Sequence, residues 1–386
     1  MSDSNTELVQ TKAGEKLQLT QTSGGDFALN GCAELIERYS SIIGEKRMNW
    51  TTHLKLLKLL GSGGQGVVFL SERKGADGFT LPVALKIFSP DRYRTPEDYD
   101  LDMARIGAVA GTVAGIQHDN LLLVHNFLDR NRIRMMVMEW VEGYDLRRLL
   151  TPRFYGYIKE RFSERQWKKM NDVLVTAGPD QPRFKPGVAI AIIQSCLNAL
   201  AALHRNGIVH ADIKPANIML KQTGQAKIID IGSAFSLDQP PERRACTPAY
   251  ASLEVLEGKK CTPLADLASI GYVTVELLSG RSLFSGATNF EAILNLKKNL
   301  VNELPKLMPR EVATNSLLMS FIEGLVAPNP EDRFHSAEAA LTMEDGAAAF
   351  LRQLIKGDMA SEYENDLRIW IEELLEIDAG FGDEAT

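Results

Sequence analysis

The sequence predicts an α+β protein in which a β-rich first part is followed by a helix-rich second part. Short β-prone runs, separated by glycine-bearing breaks, fill the stretch from His53 to Phe88. From about Arg105 onward, apolar residues recur at helical spacing, most clearly in the run GVAIAIIQSCLNALAALHRNG, where Gly207 is the expected C-terminal cap. Strands followed by helices favour two segregated parts over alternating β–α–β units.

The composition is that of a globular protein and argues against two classes of partner. Of 386 residues, 45% are hydrophobic and 24% are charged, and the formal net charge of −7 disfavours nucleic-acid binding. No apolar run approaches the roughly 18 residues that a membrane span needs. The N-terminus is polar and lacks a secretory signal, and the four cysteines form no C-x-x-C pair. We therefore expect no membrane span and a cytoplasmic location.

Changes in composition along the chain predict five segments. Residues 1–25 are polar and are expected to be disordered, and residues 26–52 contain an amphipathic helix and a linker. A β-rich part and then a helix-rich part follow these two segments. An acidic helical segment, residues 346–386, is called the tail.

Two of these regions carry patterns that leave alternatives open. Residues 151–186, called the insert, contain eight Lys and Arg residues against four Asp and Glu residues. The insert is either a docking surface for an acidic partner or, more commonly for such patterns, a solvated helical face. The tail carries an apolar stripe that is expected to dock on its own domain, with a partner protein as the alternative. The stripe consists of Leu367, Trp370, Ile371, Leu374 and Leu375.

A glycine-rich loop and a lysine suggest phosphate binding. The run GSGGQGVV places a G-x-G-x-x-G pattern at Gly61, Gly63 and Gly66, and residues 61–66 are called the glycine loop. A strand follows the loop, so we expect a hairpin tip and not the helix start of a dinucleotide-binding fold. Lys86 lies in the next apolar strand, where a lysine needs an anionic partner such as a phosphate. Taken separately, a plain tight turn and a lysine at a strand edge remain alternatives.

A third motif follows the glycine loop and Lys86, and the three in this order are far more specific than any one alone. The run IVHADIKPANI places Asp212, Lys214 and Asn217 at fixed offsets. With the glycine loop and Lys86 before it, the chain resembles the protein-kinase family, specifically bacterial eukaryote-like Ser/Thr kinases, over roughly residues 53–345. The resemblance implies a bilobal fold, with a β-rich small lobe (53–140) and a helical large lobe (141–345) that contains the insert. It also implies ATP, Mg²⁺ and a protein substrate.

The resemblance assigns a role to each residue of these motifs. Asp212 would orient the acceptor hydroxyl and take its proton, and Lys214 would reach the transferring phosphate. Lys86 would hold the α- and β-phosphates. Asn217 and Asp230, the latter from IIDIGSAF, would bind magnesium. Thr247, from CTPAY, would lie beside Asp212 and help to exclude tyrosine acceptors.

Further residues would contact ATP or support the site. The ATP contacts lie in the glycine loop, in the strands beside it, in the hinge MEWVEGYDL and in the large lobe: Gly61, Ser62, Gly63, Gly64, Gly66, Val68, Ala84, Glu139, Val141, Asp145 and Met219. Glu139 and Val141 would act through their backbone. Asp266 would hold the backbone of the catalytic loop, defined as residues 210–217. Glu254 would pair with Arg333 at the end of the activation segment, defined as residues 230–254.

The sequence departs from the family pattern at two places. The helix after the third strand should carry a glutamate that pairs with Lys86, but Val109 occupies the expected position. Asp102 could replace the glutamate only if the helix shifts or the alignment contains a gap, and Asp230 could also serve Lys86. Ala211 stands where the family usually has an arginine, which in many members anchors a phosphate on the activation segment. No Ser, Thr or Tyr occurs from Leu237 to Cys246, so we expect that segment to be ordered without phosphorylation.

These observations leave two hypotheses. The first is an active Ser/Thr protein kinase that uses ATP and Mg²⁺. The second is a pseudokinase, which would serve as a nucleotide-binding scaffold or a regulatory interaction module. The missing glutamate favours the pseudokinase. The full set of Lys86, Asp212, Lys214, Asn217 and Asp230 favours the enzyme, since a scaffold has no evident chemical need for all five.

Overall fold

The computed structural model describes residues 53–241, 246–284, 286–287, 289–356 and 363–383. The predicted disordered segment 1–25 and the predicted helix and linker 26–52 lie outside the described residues. Within the described ranges, strands dominate up to Glu139 and helices dominate after it. The α+β prediction is therefore confirmed, while the proposed segment boundaries stay a prediction.

A five-stranded antiparallel sheet forms the small lobe. Its strands are β1 (His53–Gly63), β2 (Gly66–Lys74), β3 (Thr80–Phe88), β4 (Val124–Arg130) and β5 (Ile133–Glu139), in the spatial order β1-β2-β3-β5-β4. Lys86 pairs with Val68 on one side and with Met136 on the other. Because side chains alternate along a strand, Lys86 shares its face of β3 with Ala84 and Phe88, which belong to the main core. The lysine is therefore directed inward by the strand register.

Helix α1 (Pro96–Ala114) packs on this sheet through an apolar face. Its start follows from the sequence, because Thr95 accepts a hydrogen bond from the N–H of Asp98 and Pro96 is the first helical residue. The buried residues of α1 are Tyr99, Met103, Ile106, Val109, Ala110 and Val113. Gly107 lies against the ring of Phe127 on β4, where an added Cβ would be 3.2 Å from the ring. The glycine therefore permits close approach of a side chain from the sheet.

The large lobe consists of helices with three small sheets between them. The helices are α2 (Leu146–Leu149), α3 (Pro152–Arg161), α4 (Glu164–Val173), α5 (Pro186–Arg205), α6 (Leu253–Leu256), α7 (Pro263–Ser279), α8 (Phe290–Leu307), α9 (Arg310–Ala313), α10 (Ser316–Val326), α11 (Ala337–Thr342), α12 (Ala347–Lys356) and α13 (Tyr363–Asp383). The short strands are β6 (Gly143–Asp145), β7 (Val175–Thr176), β8 (Arg183–Phe184), β9 (Ile208–Val209), β10 (Ile218–Lys221), β11 (Ala226–Ile228) and β12 (Phe235–Ser236). They pair as β11-β10-β6, β12-β9 and β7-β8. The first two of these sheets flank the catalytic loop.

Helix α5 lies in the core of the large lobe. It packs against α7, α11 and α12, and Gly207 just after it adopts φ of 68°, as expected for a C-terminal capping glycine. Among the described residues, α5 is the one helix long and apolar enough to cross a membrane, although most of it is buried inside the protein. The expectation that no run approaches that length was therefore wrong. A helix buried in the core of the large lobe also needs apolar residues on all sides, so this composition agrees with the buried position of α5.

The tail docks on its own domain, as the sequence analysis favoured. Trp370 on α13 is 2% exposed and meets Phe184 edge-on, with ring centroids 6.3 Å apart. Asp378 accepts hydrogen bonds from the Tyr144 hydroxyl (2.6 Å) and from Arg148 (2.7 Å). These contacts join the tail to β6 and α2, next to the hinge.

The insert forms α3, α4 and the β7–β8 hairpin, and acidic residues of the tail contact it. Lys169 forms an ion pair with Asp366 (3.3 Å), and the amide of Gln166 donates to Glu373 (3.1 Å). Part of the positive charge of the insert therefore faces the acidic helix of the same chain. Docking of a separate acidic protein stays a prediction.

Replacement of Trp370 by alanine is expected to lower the free energy of unfolding by about 3–5 kcal/mol, the usual cost of deleting a buried tryptophan. Denaturant titration measures this loss. Glu376→Ala, at an exposed position on the same helix, is the control and should change the free energy little. Equal stability of the two variants would contradict the docking of α13.

Candidate active site

The glycine loop is the tip of the hairpin between β1 and β2, as predicted. Gly63 pairs with Gly66, so Gly64 and Gln65 form the turn. Gly66 has φ of 133°, and an added Cβ would lie 2.0 Å from a backbone oxygen of β3, so packing requires glycine there. At Gly61, Gly63 and Gly64, an added Cβ would meet nothing within 4 Å. These three glycines leave space in which a ligand can approach the backbone.

A cavity of about 930 Å³ lies between the glycine loop and the large lobe. Its volume falls within the range of small-molecule sites, roughly 300–1,000 Å³. The structure brings together at this cavity every residue that the sequence analysis assigned to ATP, metal or catalysis: Gly61, Ser62, Gly63, Gly64, Gly66, Val68, Ala84, Lys86, Glu139, Val141, Asp145, Asp212, Lys214, Asn217, Met219, Asp230 and Thr247. Apolar side chains such as Val68, Ala84 and Met219 and the hydrogen-bonded groups of Lys86, Asp212, Lys214, Asn217 and Asp230 therefore line one and the same cavity.

Lys86 is a buried cation whose partners come from two other segments. It is 5% exposed, and its Nζ donates to Oδ1 of Asp230 (2.6 Å) and to Oε1 of Gln65 (2.7 Å). Burial raises the pKa of Asp230, but the charge and hydrogen bond of Lys86 and the N–H of Gly232 lower it to about 2. Asp230 is therefore ionised at neutral pH, and the third of its side chain that remains exposed opens toward the cavity.

The catalytic loop surrounds Asp212 with donors. Lys214 Nζ donates to Oδ2 of Asp212 (2.6 Å), and the Thr247 hydroxyl donates to Oδ1 (2.9 Å). Asn217 Nδ2 donates to the backbone oxygen of Asp212 (2.8 Å). Residues from two segments thus hold the carboxylate in one orientation, at the floor of the cavity.

Asp266 fixes the backbone just before Asp212. Its two carboxylate oxygens accept the backbone N–H groups of His210 (2.9 Å) and Ala211 (2.8 Å). Ala211 adopts φ of 62°, a left-handed conformation that is costly for a residue other than glycine. The predicted role of Asp266 as the anchor of this loop is confirmed by these contacts.

The side chain of Glu139, in the hinge, is held by residues of neighbouring segments. The carboxylate of Glu139 accepts hydrogen bonds from Lys227 and from the N–H of Leu123. Further along, Asp145 caps α2 by accepting the N–H of Arg148 (2.9 Å). Burial raises the pKa of Asp145, and its carboxylate lines the cavity at the end of β6.

Two oxygen atoms at the polar end of the cavity suit a hard cation. Asn217 uses its Nδ2 for hydrogen bonds to Asp212, and Asp230 receives Lys86 and Gly232 on Oδ1. Oδ1 of Asn217 and Oδ2 of Asp230 therefore remain as candidate ligands. Among the described residues, no group of three or more His, Cys, Asp or Glu side chains could hold a metal ion. The pair fits Mg²⁺, which is commonly bound by one or two protein groups together with substrate phosphates and water.

Comparison with known proteins decides the family. A family model for the protein kinase domain matches residues 54–344, most of the chain. The chain belongs to this family. The resemblance inferred from the motifs is thus confirmed, and the five-stranded sheet and the helical part are the two lobes of the kinase fold.

The curated relatives are bacterial kinases of low sequence identity. The chain is 27% identical to the serine/threonine-protein kinase pkn2 of Myxococcus xanthus over 77% of the chain and 33% of the relative. It is 27% identical to PrkC of Bacillus subtilis, over 74% and 39%, and 27% identical to PknA of Mycobacterium tuberculosis, over 73% and 58%. The chain thus spans between a third and three fifths of the length of these relatives.

The sequence left the partner of Lys86 open between Asp102 on α1 and Asp230. Val109 is buried in the apolar face of α1. Asp102 is held by Arg92 (2.6 Å) and Arg105 (2.9 Å) and does not serve Lys86 in this structure. Asp230 pairs with the lysine instead.

Both ends of the activation segment are held without phosphate. At its start, Arg105 donates to the backbone oxygen of Ala234 (2.6 Å), and β12 pairs with β9. At its end, Glu254 and Arg333 form the predicted ion pair through two hydrogen bonds of 2.8 Å each. Residues 242–245, which include the two arginines of ERRA, lie outside the described residues.

The sequence analysis missed a buried lysine beneath this segment. Lys297 on α8 is 0% exposed, and its Nζ donates to the backbone oxygen of Ala249 (2.7 Å). The Nζ also lies 3.6 Å from the ring centroid of Tyr272 and 4.1 Å from that of Phe284. A lysine in a helical pattern usually points to solvent, so only the fold reveals that this one supports the chain two residues after Thr247.

The environment of Lys297 makes stability depend on pH. Burial lowers its pKa from 10.5 to about 6 in the folded protein. Between these values the unfolded chain binds a proton that the folded chain does not, so the free energy of unfolding rises with pH, by about 1.4 kcal/mol per pH unit from this group. Urea titrations at pH 7 and pH 9 should show this gain in the wild type but not in Lys297→Met.

The neighbouring lysine provides the control. Lys298 is half exposed and forms an ion pair with Glu257 (3.2 Å). Lys298→Met should keep the pH dependence of the wild type. If Lys297→Met keeps it as well, Lys297 is not the source.

Proposed function

We propose that this chain is an ATP-dependent Ser/Thr protein kinase, which transfers the γ-phosphoryl group of ATP to a hydroxyl group of a protein substrate. One observation carries the proposal. The carboxylate of Asp212 is held by Lys214 and Thr247 at the floor of a nucleotide-sized cavity, whose other polar wall is the pair of Lys86 and Asp230. Positioning and charge neutralisation are what phosphoryl transfer requires of a protein.

The residues around Asp212 support a single displacement step. Asp212 accepts the proton of the acceptor hydroxyl, whose oxygen forms a bond to the γ-phosphorus as the bond to the β–γ bridging oxygen breaks and ADP leaves. Lys214, already within hydrogen-bond distance of Asp212, neutralises charge on the transferring group. Lys86 holds the α- and β-phosphates. A Mg²⁺ ion held by Asn217 and Asp230 would neutralise further negative charge on the phosphates.

The acceptor class follows from Thr247. Its hydroxyl donates to Asp212 and accepts from Lys214 (3.2 Å), which bridges the activation segment and the catalytic loop. This arrangement narrows the space beside Asp212 and favours the short serine and threonine side chains over tyrosine. The relatives named above are serine/threonine-protein kinases, which supports this assignment. A cytoplasmic location is part of the proposal.

The nucleotide occupies the apolar part of the cavity. Val68, Ala84 and Met219 pack on the base, and the backbone of Glu139 and Val141 faces its edge. Asp145 lies near the ribose, and the glycine loop covers the phosphates. Each of these residues lines the same cavity, which supports this placement.

The rival function is a pseudokinase that binds nucleotide without transferring phosphate. The observation that favours it is the apolar face of α1, where Val109 replaces the usual acid. The rival predicts ATP binding with no turnover. A transfer assay therefore separates the two functions.

The Asp212→Asn variant is expected to lose phosphoryl transfer by at least about 100-fold, because it can no longer accept the proton. The assay uses the purified chain with labelled ATP, Mg²⁺ and a generic protein substrate. Asp172→Asn, at an exposed position in the insert, is the matched control and should keep full activity. Equal labelling by wild type and Asp212→Asn would refute the kinase function.

Protein treated with phosphatase should transfer phosphate without a lag. The contacts of Arg105, the β9–β12 pairing and the Glu254–Arg333 pair hold the activation segment without a phosphate. Ser236→Ala should be as active as the wild type in the same time course. A lag that ends as phosphate accumulates on the activation segment would contradict this expectation.

A further inference from the structure

Gln65 at the tip of the glycine loop reaches into the polar end of the cavity. Its Oε1 accepts a hydrogen bond from Lys86 Nζ (2.7 Å), and its Nε2 donates to the hydroxyl of Ser233 (3.1 Å). Ser233 follows Asp230 by three residues in the activation segment. One side chain of the glycine loop therefore contacts both the lysine of β3 and the segment that carries the metal ligand.

Gly232 shows that the space around this amide is closely filled. A Cβ added to Gly232 would lie 2.2 Å from Oε1 of Gln65 and 2.8 Å from Nζ of Lys86. Its φ is not in the left-handed region, so backbone conformation alone does not require glycine here. A side chain at position 232 would therefore displace the ends of the Gln65 and Lys86 side chains from their mutual hydrogen bond.

Lys86 needs more than one acceptor because it is buried. Its ammonium group has three donors and is almost inaccessible to water, so each donor without a partner would cost free energy. Asp230 supplies one acceptor, and α1 supplies none through Val109 or Asp102. The amide oxygen of Gln65 is the second acceptor that the described residues provide.

We infer that Gln65 is a positioning residue: its amide oxygen takes the place of the missing helix carboxylate as the second acceptor of Lys86. The inference rests on the proposed kinase function and assigns a new residue to that site. Because the amide belongs to the glycine loop, the hydrogen bond couples the position of the loop to the position of Lys86. Because the amide is neutral, it holds the lysine without cancelling the positive charge that attracts the phosphates.

Two substitutions of similar size test the role of the acceptor oxygen. Gln65→Leu removes the oxygen, and kcat should fall by about tenfold or more, as expected for the loss of a hydrogen bond to a charged group. Gln65→Glu keeps an acceptor at the same reach, so its kcat should stay within about threefold of the wild type. Its KM for ATP should rise, because the carboxylate adds negative charge beside the phosphates.

The control is Gln117→Leu, an exposed glutamine of the small lobe, which should leave kcat and KM unchanged. Gln65→Glu and Gln117→Leu should melt near the wild-type temperature, whereas Gln65→Leu should melt somewhat lower while remaining folded, because buried Lys86 loses an acceptor. Equal losses of kcat in Gln65→Leu and Gln65→Glu, or wild-type kcat in Gln65→Leu, would overturn the inference.

A binding measurement separates this inference from the proposed function. Calorimetric titration with Mg·ATP should show affinity about tenfold weaker in Gln65→Leu than in the wild type, whether or not the chain transfers phosphate. A wild-type chain that binds ATP but labels no substrate would refute the kinase function alone. Equal affinity in the two proteins would refute the role of Gln65.

Discussion

The buried carboxylate of Asp266 is the contact on which the site depends. It is 0% exposed and accepts two consecutive backbone N–H groups of the catalytic loop, together with His204. Burial raises the pKa of Asp266, but the hydrogen bonds and charges from His204 and His210 lower it below the ordinary value. A charge that is both buried and satisfied is costly to displace. It therefore holds Ala211 in its strained conformation and sets the direction of Asp212.

The second constraint joins the two lobes across the cavity. Lys86 comes from the small-lobe sheet and Asp230 from the large lobe. Their ion pair therefore forms only when the two lobes lie at the right distance from each other. In this chain the contact is reinforced by Gln65 of the glycine loop rather than by α1. Helix α1 instead packs through an apolar face and uses Arg105 to hold the start of the activation segment. The positions of the loop and of the activation segment are therefore linked through Lys86.

The tail and the insert extend this framework on the side of the hinge. Asp378 of α13 binds Tyr144 and Arg148, which flank Asp145 at the mouth of the cavity. The opposite charges of the two regions meet at Lys169 and Asp366. Acidic side chains of the tail thus pair with basic side chains of the insert, so part of the positive charge of the insert is neutralised within the same chain.

Local signals in the sequence predicted the hairpin of the glycine loop, the position of Lys86 on a strand and the capping role of Gly207. These features could be predicted because turn chemistry and strand alternation act between neighbouring residues. The order of the motifs could likewise be read directly from the sequence. The sequence left the partner of Lys86 open between Asp102 and Asp230, and it did not reveal Gln65. Lys86 and Asp230 are separated by 144 residues, and Gln65 is separated by 168 residues from Ser233, to which it also donates a hydrogen bond. Which acceptor reaches the lysine depends on how helix α1 and the loops pack. The burial of Lys297 arises for the same reason, since α8 meets the activation segment only in the folded chain.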